Sequence, residues 1–447
     1  MKKPNIIVFF SDQQRFDTLG CNGQKLDITP NLNVLANEGI NFSHAYTVQP
    51  VCGPARALLQ TGLYPTEAGC FRNGISLPTN IATLAGRMCG AGYRTAYVGK
   101  WHLASDSDGP NYQTTAVPVE RRGGYNDYWM ASDILEFTSH GYGGYLHDGN
   151  GNKVEFSGYR ADCVTDYALL YLDQRSAKEE RPFFLFHSLI EPHHQNDHNC
   201  FEGPEGSREK FKNFIPPSDL NPGEGDWEEQ MPDYLGCCHS LDKNLGRVVK
   251  KLKERGLYDD TIIIYASDHG CHFRTRINDC TPGGYDDYKR NCFENTIHIP
   301  LIIRGPGFMG GKTADRLVSL LDLPKTIVTA AGADSMGMRG EPLQDVFTAP
   351  EWKREVYIQI SESYVGRALR TEQYTYCVYA PDKNPNTDSS AKEYTERYLF
   401  DNKKDPDQKN NLIHMANYNK IKARLRKCLI TLAREAGEGE ISIKAGE

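Results

Sequence analysis

Ile6-Ile7-Val8-Phe9-Phe10 is an unbroken apolar run near the start of the chain. A strand covered on both faces of a largely parallel sheet reads this way, so the pattern predicts a central strand over 6–10. Residues 261–266 predict a second, and runs at 95–98, 183–186 and 299–304 predict three more. Pro300 puts the last at an edge or at a strand start. Between these runs apolar residues return at helical spacing. Thr29-Pro30 opens a helix that turns Leu32, Leu35 and Ala36 inward and stops at Gly39. Further helices are predicted over 83–89, 162–174, 228–255 and 320–331. Strand and helix alternate, which is the rhythm of an α/β fold. After about residue 349 the texture changes. Short strands over 356–360, 366–370, 374–379 and 398–401, then an amphipathic helix over 418–434, predict a small α+β unit. The expected division is 1–348 and 349–447. Residues 105–160, 196–230 and 271–290 show little periodicity and are rich in turn formers. They are expected to be loops, with 105–160 roofing a site.

Composition narrows the class. The chain has 447 residues, enough for one large domain and a smaller one. A net charge of −7 implies no broad basic face for nucleic acid. No apolar run is long enough to span a bilayer. Met1-Lys2-Lys3 leads almost directly into the first strand without a small-residue cleavage site. The 13 cysteines are odd in number and irregularly spaced, so no disulfide framework is expected. A cytoplasmic location is the expectation from both features.

The stretch that carries chemistry is Cys52-Gly53-Pro54-Ala55-Arg56. Proline is tolerated in a first helical turn, residues 55–60 favour helix, and Gly62 is a natural stop. Cys52 is therefore predicted at a helix N-terminus, where free N–H groups and the dipole favour an anion. Arg56 lies one turn on, on the same face. The residues alone leave two readings of Cys52 open. It packs as a small hydrophobe, or it is a thiolate nucleophile activated by the helix end and Arg56. The arginine follows sooner than the phosphate loop of cysteine phosphatases requires.

Asp12-Gln13 and Asp268-His269 each end a predicted buried strand. Ligands of open α/β sheets bind at such ends. The carboxylates and the Gln13 carbonyl suit a hard divalent cation, and His269 can add a nitrogen. Cys271, Cys280 and Cys292 with His272 match no usual zinc spacing. Cys237 and Cys238 read as packing residues on the long helix.

Cys-x-Pro-x-Arg followed by an Ala/Leu-rich turn and Thr-Gly resembles the signature of the type I sulfatases. The resemblance runs along almost the whole chain. Pro4-Asn5-Ile6-Ile7 with Asp12 looks like the family opening, and Gly99-Lys100-Trp101-His102 like its second signature. Pro192-His193 matches the histidine that contacts sulfate. Asp268-His269-Gly270 is similar to the metal segment, and Lys289 before Phe293-Glu294 to the later lysine. Arg367-Ala368-Leu369-Arg370-Thr371 and Leu399-Phe400-Asp401 look like the C-terminal subdomain.

The resemblance implies an alkaline phosphatase-like α/β fold. A large mixed sheet would lie between helices, with a small antiparallel sheet and a helix behind it. It implies a sulfatase acting on a carbohydrate, such as a saccharide derived from glycosaminoglycan or mucin. Cys52 would be oxidised to formylglycine by a maturation enzyme. Asp12, Gln13, Cys52, Asp268 and His269 would hold the cation, Ca2+ in most relatives. Arg56, Lys100, His102, His193 and Lys289 would contact the nucleophile or the sulfate, with His193 or His102 as proton donor. Three departures stand out. Gln13 and His269 replace a second aspartate and an asparagine, which makes Mg2+ or Mn2+ more plausible. Ala55 replaces a frequent serine. An Asp-His pair also occurs in phosphonate monoester and phosphodiester hydrolases of the same scaffold, the main alternative. A catalytically dead glycan-binding protein is another. His272, Arg274 and Arg276 are placed to touch the sugar or a neighbouring acidic group such as a uronate.

Overall fold

The computed structural model describes residues 2–276 and 280–446. A ten-stranded mixed sheet runs through the larger part. Its order is Lys312–Ala314, Ile40–Phe42, Leu301–Arg304, Thr261–Ser267, Asn5–Ser11, Phe183–Ser188, Arg94–Lys100, Tyr128–Ser132, Tyr142–Asp148 and Lys153–Tyr159. The five strands from Thr261–Ser267 to Tyr128–Ser132 are mutually parallel. Their C-terminal ends therefore open on one side of the sheet.

The apolar runs are buried on both faces, as their composition requires. Ile6, Val8 and Phe10 pack with Leu58, Leu59, Met88 and Ile327, from the helices Cys52–Thr61, Leu84–Gly90 and Asp322–Ala331. Ile7 and Phe9 pack the other way, with Leu32, Leu35, Val164, Leu241 and Leu245. Those come from Pro30–Glu38, Arg160–Asp173 and Trp227–Glu254. The period-2 alternation along one strand thus feeds two separate helix layers.

The second sheet is formed by Glu355–Ile360, Gly366–Thr371, Tyr374–Tyr379, Glu393–Asp401 and Ser442–Lys444. The first four are antiparallel. The helix Asn419–Glu435 covers them with Leu425, Leu429 and Ala433. Arg370 of this sheet ion-pairs with Glu294 at 2.8 Å, and the Gln359 N–H donates to the Val48 carbonyl.

One expectation changes, and Pro300 takes the second of its two expected places, a strand start. Residues 105–160 are not only loops. Three strands from this stretch, Tyr128–Ser132, Tyr142–Asp148 and Lys153–Tyr159, extend the main sheet. Tyr142–Asp148 carries Gly143 and Gly144, and Lys153–Tyr159 is half exposed along its length, so neither shows an apolar run. Leu301–Arg304 is an interior strand, between Ile40–Phe42 and Thr261–Ser267, and Pro300 precedes its first residue.

Candidate active site

Register brings the candidate residues together. Phe10 pairs with Ser188 and Ser11 with Ser267, so Asp12, the loop after Ser188, and Asp268 leave the sheet side by side. Gly99 pairs with Ser188 on the next strand over, which delivers Lys100 beside them. Gly99 has φ +110°, and a Cβ there would meet the Ser188 carbonyl oxygen at 1.9 Å. Only glycine allows this approach. Trp101 is fully buried against the rings of Tyr97, Tyr125 and Trp129, which fixes Lys100 and His102 on either side of it.

Cys52 opens its helix as the sequence predicts, and Gly62 closes it in the left-handed conformation. The Cys52 Sγ lies 3.3 Å from Asp12 Oδ1, 3.4 Å from His269 Nε2 and 3.4 Å from Lys289 Nζ. His102, at φ +61°, also favours the charged form of the sulfur. Burial raises the thiol pKa, but Lys100, Lys289, His269 and His102 outweigh it and hold Cys52 well below a free cysteine. This atom sits where the surroundings favour negative charge.

Asp12 is the hub for the fixed cations. Lys100 Nζ donates to its Oδ2 at 2.7 Å, and Arg56 Nη2 donates to the same oxygen at 3.0 Å. Burial and Cys52 push the Asp12 carboxyl up, but Lys100, His193 and Arg56 hold it below the usual carboxylate range. Arg56 also donates to the Lys100 carbonyl and to Ser188 Oγ. Lys289 Nζ is 2.9 Å from His193 Nε2 and 3.2 Å from Asp287 Oδ2. Its ammonium is placed to donate to that nitrogen. Burial lowers the Lys289 pKa, but Asp287, Cys52 and Asp12 raise it further, so the side chain stays charged.

Asp12, Cys52, Asp268 and His269 form a fully buried group of metal-type ligands, with one donor atom from each within 4.8 Å of the others. Three observations fit a cation. Asp268 Oδ1 accepts from the Gln13 and His269 N–H groups, while its Oδ2 is buried with no partner. His269 Nδ1 donates to the Gly270 carbonyl, which aims Nε2 at the carboxylates. Burial and the neighbouring Asp12 raise the Asp268 pKa from its ordinary 3.8 to about 6, a repulsion that a cation relieves.

Gln13, the other expected ligand, lies beside this group with its side chain partly engaged. Its carbonyl oxygen accepts from the His194 N–H at 3.1 Å, and its amide nitrogen is buried without a partner. Its contact with the cluster is through the backbone, at φ +69°.

The three expected sugar contacts do not gather. His272 is fully buried, its Nε2 3.1 Å from Asp286 Oδ2, and so is turned away from solvent. Arg276 donates to the Asp407 carbonyl and stacks on Phe293. It lines a separate cleft of about 400 Å³ with Arg15, Asp17 and Lys25. Arg274 stays with the site residues, sharing Tyr288 with the buried His272. It is partly exposed, lies over the Tyr288 ring and donates to Asn199 Oδ1. Tyr288 in turn meets His194, next to His193.

Asp287 and Glu136 were missed. Asp287 is the carboxylate partner of Lys289 and Arg290, and Glu136 Oε2 lies 4.0 Å from His193 Nδ1. The backbone of Asp287, Tyr288 and Arg290 has positive φ, so this short run is held in costly conformations beside the site.

The family model named Sulfatase matches residues 4–333, nearly three quarters of the chain. The chain belongs to the sulfatase family. A second family model, the C-terminal part of N-sulphoglucosamine sulphohydrolase, matches residues 283–435 of this sulfatase. An ulvan-active sulfatase of Formosa agariphila is 32% identical, over 97% of this chain and 82% of that one. A solved structure in complex with its substrate D-glucosamine-2-N,6-O-disulfate superposes with a TM-score of 0.76 at 23% identity, covering 98% and 99% of the two chains. A phosphonate monoester hydrolase of Agrobacterium radiobacter shares the fold too, with a TM-score of 0.69 at 20% identity over 97% and 96%. The sulfatase is a sulfuric ester hydrolase on an alkaline phosphatase-like fold, and its relatives act on sulfated carbohydrate. The family generally uses a metal ion and formylglycine. Among the described residues no helix is long and apolar enough to cross a membrane.

Proposed function

We propose that this sulfatase removes sulfate from a saccharide, using a formylglycine made from Cys52 and a divalent cation. The observation that carries this reading is the convergence of Cys52, Arg56, Lys100, His102, His193 and Lys289 with Asp12, Asp268 and His269 around one buried atom at a helix N-terminus.

Formylglycine supplies a geminal diol, one hydroxyl to attack sulfur and the other to expel sulfate once deprotonated. Asp12, Asp268 and His269 would hold the cation, which supplies positive charge to the reacting oxygens. Ca2+ is the expected ion, with Mg2+ or Mn2+ as alternatives. The remaining residues act directly. Lys100 and Lys289 are fully buried and each is held against a carboxylate, so they bind sulfate oxygens without rearranging as charge builds on them. Arg56, locked by three hydrogen bonds, orients Asp12 and Lys100. His193, whose Nε2 faces Lys289, is the candidate donor to the departing alkoxide, and His102 serves the residue-52 side.

His193→Ala is expected to slow hydrolysis of a sugar sulfate by about 10²–10⁴-fold. A nitrophenyl sulfate, whose leaving group needs no proton, should lose far less. Equal losses on both substrates would assign the proton to His102 or to water.

The cation reading has its own test. The folded pKa of Asp268 lies above its unfolded value, so folding takes up a proton between pH 3.8 and about 6. Stability from this group is therefore present at low pH and lost as pH rises through that window. Cation-free enzyme should lose stability across it. A divalent cation at about 100 times its Kd should restore about 2.7 kcal/mol at pH 7. In Asp268→Asn both effects should vanish from thermal melts.

The second reading is a phosphonate monoester or phosphodiester hydrolase, favoured by the Asp268-His269 pair and the shared fold with such an enzyme. Parallel assays with an aryl sulfate, a phosphonate monoester and a panel of sulfated mono- and disaccharides separate the two. A sulfated sugar should give the highest kcat/KM, and preference for the phosphonate would reverse the assignment.

A further inference from the structure

A second group of metal-type side chains lies outside the Cys52 pocket, made by His140, Asp197 and His198. His140 follows the helix Leu135–Thr138, whereas Asp197 and His198 lie on the loop that carries His193. One donor atom from each lies within 4.8 Å of the others. The two imidazole rings stack at 4.1 Å and 5° from parallel. Each ring has one nitrogen against a carboxylate. His140 Nε2 is 2.8 Å from Asp197 Oδ2, and His198 Nδ1 is 2.6 Å from Glu202 Oε1. The carboxylates are themselves anchored. Gln195 Nε2 donates to Asp197 Oδ1 at 2.8 Å, and the Gly141 N–H donates to the second oxygen of Glu202.

We propose that His140, Asp197 and His198 form a Zn2+ site, with Glu202 orienting His198. Glu202 on His198 Nδ1 leaves Nε2 of that ring as a ligand, the usual arrangement around zinc, whereas His140 would ligate through Nε2, the nitrogen that already faces Asp197. A metal needs both rings deprotonated, so zinc uptake would release protons and strengthen as pH rises. Asp197 and Glu202 together carry two negative charges, matching one divalent ion. Nitrogen donors select zinc over Ca2+ or Mg2+, which take oxygen. Zn–ligand bonds of about 2.0–2.1 Å require donors about 3.3 Å apart. The side chains of His140, Asp197 and His198 are about half exposed, so they can close that gap without disturbing the core. A water can take the fourth position.

The ion would tie together two segments that meet at His193. Glu136, four residues before His140, faces His193 Nδ1, and Gln195 donates both to the Glu136 carbonyl and to Asp197. Zinc would thereby stiffen the loop that positions His193.

Calorimetric titration of the full enzyme with ZnCl2, in saturating Ca2+, tests this. Wild type should take up one Zn2+ per chain. His140→Ala and His198→Ala should each weaken uptake by at least about tenfold. Asp268→Asn, which alters the Cys52 cluster instead, should leave it unchanged. Thermal melts should show a zinc-induced rise in Tm that both histidine variants lose. No zinc uptake by wild type, uptake unchanged in both histidine variants, or uptake abolished by Asp268→Asn would each overturn the proposal.

Discussion

Cys52→Ala is expected to lower kcat for sulfate-ester hydrolysis by about 10⁴-fold or more, the scale of a lost nucleophile. The fold should survive, because the change removes one buried sulfur from a helix N-terminus whose other residues are untouched. Substrate binding should survive too. Lys100, Lys289 and Arg56 keep Asp12 and Asp287 as partners. The expected signature is a collapsed kcat with a KM close to that of the parent, and an unchanged urea midpoint. A variant that still turns over at a tenth of the parental rate would remove residue 52 from the chemistry.

Arg56→Ala should have the largest effect on stability. Arg56 and Asp12 are both fully buried, and breaking such a pair costs about 3–5 kcal/mol because a charge is left unmatched. The guanidinium also donates to the Lys100 carbonyl and Ser188 Oγ, so its removal takes a donor from each, although the Lys100 carbonyl keeps the Tyr97 hydroxyl. Lys100 keeps one bond to Asp12, which places the loss toward the lower end of that range. Urea denaturation should show a clear fall in midpoint for Arg56→Ala. The double variant Arg56→Ala/Asp12→Asn should recover part of it, because the stranded carboxylate is then neutral. A double variant as unstable as the sum of the two single ones would mean that charge pairing is not what Arg56 supplies.

Much of this was legible in the chain because the informative residues sit at the ends of unmistakable strands. Ile6 to Phe10 and Ile262 to Ile264 must be buried on both faces, so Asp12 and Asp268 had to emerge at one edge of a parallel sheet. Pro54 and Gly62 bracket a helix, so Cys52 had to stand at its start. What escaped the sequence lacks that local grammar. Tyr142–Asp148 and Lys153–Tyr159 are outer strands with little apolar patterning, and they pair only because Tyr128–Ser132 offers them a free edge. Asp287 and Glu136 are lone acids in irregular stretches, and their roles follow from where Lys289 and His193 arrive. His272, Arg274 and Arg276 are close in sequence, yet the chain between them turns through positive φ at Phe273 and Arg274 and sends the three side chains to different places. The Gln13 side-chain oxygen accepts one hydrogen bond, from the His194 N–H, a tie the sequence did not show.

Mass spectrometry of the tryptic peptide bearing residue 52, from a preparation that releases sulfate and was co-expressed with a formylglycine-generating enzyme, tests the central claim most directly. An aldehyde in place of the thiol, in a fraction that tracks specific activity across preparations, is the predicted result. A fully active preparation in which residue 52 is wholly unmodified cysteine would contradict it.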